Sequence, residues 1–151
     1  MPNAAKKLVI ASDHAGFALK TALIAHLRSA GHDVTDLGTH SEDRVDYPDY
    51  GFAIGKAIEE GMAPWAIGIC GSGIGISIAM NRFAAVRTAL VHDVTTARFA
   101  RLHNNANAIA LGARMIGMQT ALDCVDEFLS TDFEGGRHTG RVEKLANCGV
   151  K

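Results

Sequence analysis

The chain has 151 residues, 48% of them hydrophobic and 21% charged, with 15 basic against 16 acidic side chains and a formal net charge of -1. That length suits one domain spanning 1–151 with a sizeable core, and the balance is that of an ordinary globular protein. The charge excludes a broad nucleic-acid surface but not a local basic pocket. No apolar run approaches the roughly 20 residues of a membrane span, and the polar Met1–Lys7 stretch does not read as a signal peptide. Three cysteines, Cys70, Cys124 and Cys148, form no CxxC pair. That excludes a disulfide framework and a cysteine zinc site, and implies free thiols in a reducing, cytoplasmic compartment.

In chain order, Leu8–Ser12 is an apolar run of strand length, closed by the turn residues Asp13, His14, Ala15 and Gly16. Leu19, Leu23 and Leu27 recur every four residues, predicting a helix that Gly31 ends. Val34–Leu37 is the second strand, and Gly38–Tyr47 is a polar loop. Pro48 suits a first helical position, opening a helix to Glu60 with Gly61 as its stop. Trp65–Ile69 is the third strand. Arg87–Val91 and Ala108–Leu111 are the fourth and fifth, separated by a helix over Thr95–Leu102. A helix over Gln119–Leu129 buries Leu122, Val125 and Leu129, which leaves Cys124 near the core. A last, mostly polar helix is expected over Arg137–Ala146. Short strands alternating with helices predict an α/β fold of βαβ units around a parallel sheet.

In such sheets ligands bind beyond the carboxyl ends of the strands. Asp13 and His14 follow the first strand, Cys70–Gly75 the third, and His92 and Asp93 the fourth. The segment Ile69–Gly75 (Ile-Cys-Gly-Ser-Gly-Ile-Gly) carries three glycines within five residues. Glycine lets the backbone turn sharply and expose its N–H groups, and such groups at a helix start attract anions. Cys70 would face that anion site as a base or nucleophile, since a helix N-terminus favours thiolate; the plain alternative is a small buried hydrophobe. A dinucleotide fingerprint requires G-x-G-x-x-G, but Ile76 stands where the third glycine belongs, so the match is weak.

The remaining polar residues each carry two readings. Asp13 can cap the following helix, or with His14 handle protons and hydroxyls. His103-Asn104-Asn105 can simply end a helix. The chain's seven histidines show no spacing of a recognised metal set. Arg137 and Arg141, four apart on one helical face, mildly repel. They suit a grip on phosphate beside Gly135-Gly136, with Arg114 able to join them.

Together these segments resemble the type B ribose-5-phosphate isomerases, a family that includes galactose-6-phosphate and allose-6-phosphate isomerases. The resemblance covers Leu8–Ala146. It rests on Ser-Asp-His-Ala-Gly-Phe (Ser12–Phe17), Asp-Tyr-Pro (Asp46–Pro48), the run Ile69–Ala79, His-Asn-Asn (His103–Asn105), Gly-Ala-Arg (Gly112–Arg114), Glu-Gly-Gly-Arg-His (Glu134–His138) and Arg141.

The resemblance implies a single Rossmann-like three-layer domain with a five-stranded parallel sheet. It implies a homodimer or dimer of dimers, with sites at the interface and the C-terminal helix reaching a partner chain. The implied reaction interconverts an aldose phosphate and a ketose phosphate without metal or organic cofactor. His103 would assist ring opening, Asp13 would manage the hydroxyl proton, and Cys70 would shuttle a proton between C2 and C1. The Gly71–Gly75 backbone, Ile74 included, would hold the enediolate charge, and Ser72 would orient base or substrate. His14, Arg114, Arg137 and Arg141 would bind phosphate, Asn104 the sugar hydroxyls, and Tyr47 the sugar side. Some relatives replace the cysteine with a glutamate just after the last loop glycine. Here that position is Ile76, which takes no proton and leaves Cys70 as the base. A hexose 6-phosphate as substrate, a non-catalytic nucleotide-binding module and an incomplete scaffold subunit are the rival readings.

Overall fold

The computed structural model describes residues 4–148; the ends of the 1–151 span, including Met1–Asn3, lie outside the described residues. Five strands form one parallel sheet: β1 (Lys7–Ser12), β2 (Asp33–Asp36), β3 (Trp65–Cys70), β4 (Thr88–Leu90) and β5 (Ala108–Gly112). Six α-helices accompany them: α1 (Phe17–Ser29), α2 (Tyr47–Glu59), α3 (Ile74–Met80), α4 (Val94–Leu102), α5 (Met118–Ser130) and α6 (Thr139–Ala146). The strand order is β2-β1-β3-β5-β4. The chain leaves β1 on one side for β2 and returns on the other for β3, which makes a topological switch point between the ends of β1 and β3.

The layers follow from strand alternation. Leu8 and Ile10 of β1 pack with Leu23, Leu27, Val125 and Phe128 on the α1/α5 side. Val9 and Ala11 pack with Ile54, Ile76 and Met80 on the α2/α3 side, and Cys70 faces that same layer. With both faces covered, β1 and β3 read as near-continuous apolar runs, as parallel strands must. Behind the first layer, the buried Arg101 guanidinium stacks 4.4 Å from the Trp65 ring centre and donates to the carbonyls of Thr131 and Ala106.

The predicted elements are all present, with shifted bounds. β4 is shorter than Arg87–Val91, because the Arg87 N–H donates to the Asn107 side chain (2.8 Å). Tyr47, not Pro48, is the first residue of α2. α3 begins at Ile74, two residues before the apolar run Ile76–Met80. Arg137 is not in the terminal α-helix: Gly136–His138 form a 3-10 turn and α6 starts at Thr139. Arg137 and Arg141 therefore do not share one α-helical face. α6 buries none of its residues, and Leu145 is largely exposed.

Candidate active site

The first cluster lies at the carboxyl edge of the sheet. The Asp13 N–H donates to the Ile69 carbonyl (3.1 Å), which ties the end of β1 to the end of β3. Asp13 is buried and caps the turn after β1, its carboxylate accepting from the Gly16 N–H (3.2 Å). Capping and placement at the switch point thus coexist in one side chain. The Val45 N–H donates to His14 Nδ1 (3.2 Å), so the loop before α2 holds that ring. Asp13, His14, Arg44 and Tyr47 line a shared cavity of about 420 Å³.

Cys70 is the last residue of β3 and is buried. The Gly73 N–H donates to its sulfur (3.2 Å), and the Ile74 N–H donates to Ser72 Oγ (3.2 Å). Two of the loop's backbone donors are therefore engaged by the loop's own side chains. Gly73 has φ +77°, and a Cβ there would lie 2.8 Å from the Leu111 carbonyl carbon; both the conformation and the space demand glycine. A Cβ on Gly75 would lie 2.5 Å from the Tyr47 ring, so this glycine lets Tyr47 lie over the start of α3. Arg114 closes the other side. Its N–H donates to the Gly71 carbonyl (3.0 Å), and its guanidinium lies 3.4 Å from where a Gly71 Cβ would stand.

The other two cysteines differ. Cys124 is fully buried in α5, and its thiol is pushed up to about 11 by burial first, then by Asp93 and Asp123; it is a core residue. Cys148 is exposed.

The second cluster lies at the opposite edge. α4 runs back along the sheet, so His103, its C-cap, and Asn104 precede the first residue of β5. In the β3/β5 ladder Ala66 pairs with Ala108, whereas Cys70 pairs with Gly112. Strand residues rise about 3.3 Å each, so the two edges stand on the order of 13 Å apart. Asn105 takes the left-handed turn (φ 44°), with its carbonyl held by Arg87 (2.8 and 3.0 Å) and its side-chain oxygen by Arg101 (2.9 Å).

The Glu134 N–H donates to the Leu102 carbonyl (3.1 Å), which brings the Glu134–His138 segment to the same edge. There the His103 ring stacks on His138 (centroids 4.4 Å, 17° between planes) and packs against Phe99 (4.7 Å). His103, Asn104, His138 and Arg141 line a cavity of about 310 Å³. Arg137 points its Nε–H toward His138 Nε2 at 3.4 Å.

Asp13, His14, Tyr47, Cys70–Gly75 and Arg114 thus form one group, and His103, Asn104, Arg137 and Arg141 another. Among the described residues no hydrogen bond or ion pair joins the two groups. The four residues expected at phosphate are split between them.

The model of the family described as Ribose/Galactose Isomerase matches residues 8–145. The chain belongs to this family. It is 42% identical over 140 residues to ribose-5-phosphate isomerase B of Escherichia coli K12, covering 93% of this chain and 94% of that one. The ribose-5-phosphate isomerase B structure from Clostridium thermocellum superposes with a TM-score of 0.92 at 44% identity, covering 94% and 96% of the two chains. That of Mycoplasma genitalium, with ribulose-5-phosphate bound, gives 0.89 at 38% identity, covering 94% and 95%.

Within this ribose/galactose isomerase fold, three residues escaped sequence reasoning. Arg44 reaches the first cavity from the loop read only as polar, although the neighbouring Asp-Tyr-Pro segment pointed there. Glu134 and His138 stand within the quoted Glu-Gly-Gly-Arg-His segment. Their approach to His103, with ligand atoms all within 4.8 Å, is a tertiary contact that no local spacing encodes.

Proposed function

We propose that the protein interconverts ribose 5-phosphate and ribulose 5-phosphate through ring opening and a cis-enediolate, with Cys70 as the proton-transfer base. The observation that carries this reading is the gathering of Cys70, Asp13, the glycine loop and Arg114 at the switch point, in a chain matched over 93–94% of its length by ribose-5-phosphate isomerase B relatives.

In this reading His103 donates a proton to the ring oxygen while Asp13 takes up the hydroxyl proton. Cys70 then removes the C2 proton and returns it to C1, while the O2 hydroxyl proton passes to O1. The intermediate carries negative charge on oxygen, and backbone donors aimed at such charge contribute about 3 kcal/mol each. Ser72 orients base or substrate, Asn104 holds sugar hydroxyls, and Tyr47 flanks the sugar. His14 and Arg114 from one group and Arg137 and Arg141 from the other bind phosphate.

The opposite placement of Cys70 and His103 in one chain supports a composite site in a homodimer or dimer of dimers. Each His103 group would then serve the Cys70 group of a second copy. The unburied α6 supports its reaching that copy. Free thiols without CxxC pairs support a cytoplasmic setting.

The test is an isomerase assay in EDTA with ribose 5-phosphate, allose 6-phosphate and galactose 6-phosphate offered separately. Turnover is expected on the pentose phosphate. Preference for a hexose phosphate would move the substrate within the family, and no turnover of any of the three by folded protein would overturn the reading.

A further inference from the structure

We propose that His103, Glu134 and His138 form a chelating site for a divalent transition-metal ion of the zinc class, and that occupancy inhibits turnover by sequestering the His103 imidazole. The inhibitory half rests on the isomerase reading above; the binding half does not.

Two imidazoles and a carboxylate are a zinc-type donor set. Glu134 Oε2 lies 3.6 Å from His138 Nε2 and 3.9 Å from His103 Nε2, and all three ligand atoms fall within 4.8 Å of one another. These separations are too long for hydrogen bonds. They are close to the roughly 3.3 Å between ligand atoms of a four-coordinate zinc with bonds of about 2.0–2.1 Å. Closing the difference takes rotation of the His103 ring, 37% exposed, out of its near-parallel stack on His138 so that the two lone pairs converge, and a turn of the Glu134 side chain, which is 54% exposed.

The two segments are held together by the Glu134–Leu102 backbone bond (3.1 Å), and the turn that carries His138 is closed by its N–H to the Gly135 carbonyl (3.0 Å). His138 is buried, and its pKa is lowered by that burial first, then by His103 and Arg137.

The neighbouring charges set the selectivity. Arg137 Nε–H competes for the His138 lone pair at 3.4 Å, and Arg141 shares the cavity with both rings. Glu134 offsets one of these positive charges. A hard cation such as magnesium or calcium, which depends on several oxygen ligands, has one carboxylate here and two imidazoles it disfavours. A zinc-class ion gains from the nitrogens. Three protein ligands leave the remaining position to water.

The experiment titrates the intact protein with cobalt(II) and follows the visible d–d absorption. In parallel, zinc is titrated into the isomerase assay and then removed with EDTA. A d–d band without a thiolate-to-cobalt charge-transfer band is expected, with zinc inhibition that EDTA reverses. Glu134→Gln should weaken cobalt binding and zinc inhibition by about tenfold or more, since loss of even an outer-shell partner costs about 10–100-fold. His138→Asn should lose the band. Unchanged binding in Glu134→Gln, or a charge-transfer band reporting Cys70 or Cys148, would overturn the site. The cobalt band is read without substrate. A protein that binds cobalt as described but turns over no sugar phosphate would refute the isomerase reading alone; normal turnover without the band would refute the metal site alone.

Discussion

Cys70 and His103 stand at opposite edges of the same sheet: Cys70 pairs with the last residue of β5, and His103 precedes the first. A parallel strand separates them, and parallel sheets are rigid, doubly covered elements. A reaction that needs both side chains on one substrate therefore calls on two copies of the chain.

Cys70→Ala should lower kcat by about 10²–10⁴-fold, the usual contribution of a positioned proton-transfer group. The thiol packs within the α2/α3 layer, and alanine keeps most of that packing, so circular dichroism and binding of a phosphorylated ligand should persist. Near-normal turnover in this variant would remove Cys70 from the role of base.

Arg141 faces the His103 cavity without an ion-pair partner among the described residues. Charge-assisted hydrogen bonds contribute about 1.5–3 kcal/mol, so Arg141→Ala should raise KM for the sugar phosphate by about tenfold or more while kcat changes less. Steady-state kinetics with an unchanged KM would take Arg141 out of phosphate binding.

Stability should fall as pH drops below 6.5. His32 and His138 are both held below their ordinary value of 6.5, chiefly by desolvation. Between the lowered folded values and 6.5 the unfolded chain binds more protons, so stability rises with pH across that window. The contribution is complete above the unfolded value and lost as pH falls through the folded ones. Denaturant melts of His32→Gln and His138→Gln should each show a shallower acid slope than the parent. Slopes identical to the parent would contradict the assignment.

Lys20 is 1% exposed, with its ammonium 2.7 Å from both carboxylate oxygens of Asp36. Asp36 also accepts from the Gly38 N–H (2.9 Å), at the entry to the loop that leads to Tyr47. Removing one partner of a buried pair costs about 3–5 kcal/mol; Asp36 is partly exposed, so Asp36→Ala should cost about 3 kcal/mol, read from urea melts. A loss below about 1 kcal/mol would show the pair to be solvated.

β1 and β3 were legible as short apolar runs because both their faces are buried, and α1 and α5 by apolar stripes of helical period; run length together with periodicity separates the two kinds. The bounds that moved did so for tertiary reasons. Asn107 takes the Arg87 N–H out of the β4 ladder, and the positive φ of Gly135 and Gly136 turns Arg137 into a 3-10 segment ahead of α6. Asp13 and the Cys70 loop could be grouped from sequence, because each stands at a strand's carboxyl end and such edges collect ligands; Arg114, read from sequence with Arg137 and Arg141, stands against Gly71 in this chain. His103 follows a helix, which carries it to the other edge. Its neighbours Glu134 and His138 come from beyond β5 and α5, a meeting set by packing rather than spacing.

The composite site is tested most directly by mixing two inactive variants, Cys70→Ala and His103→Ala, under conditions that let subunits exchange. In a two-fold dimer whose sites each combine Cys70 of one chain with His103 of the other, half of the randomly mixed dimers carry one intact site. Activity should therefore return to about a quarter of wild type per chain. Mixed samples that form heterodimers, as tagged subunits would report, yet stay as inactive as either parent would contradict the shared site.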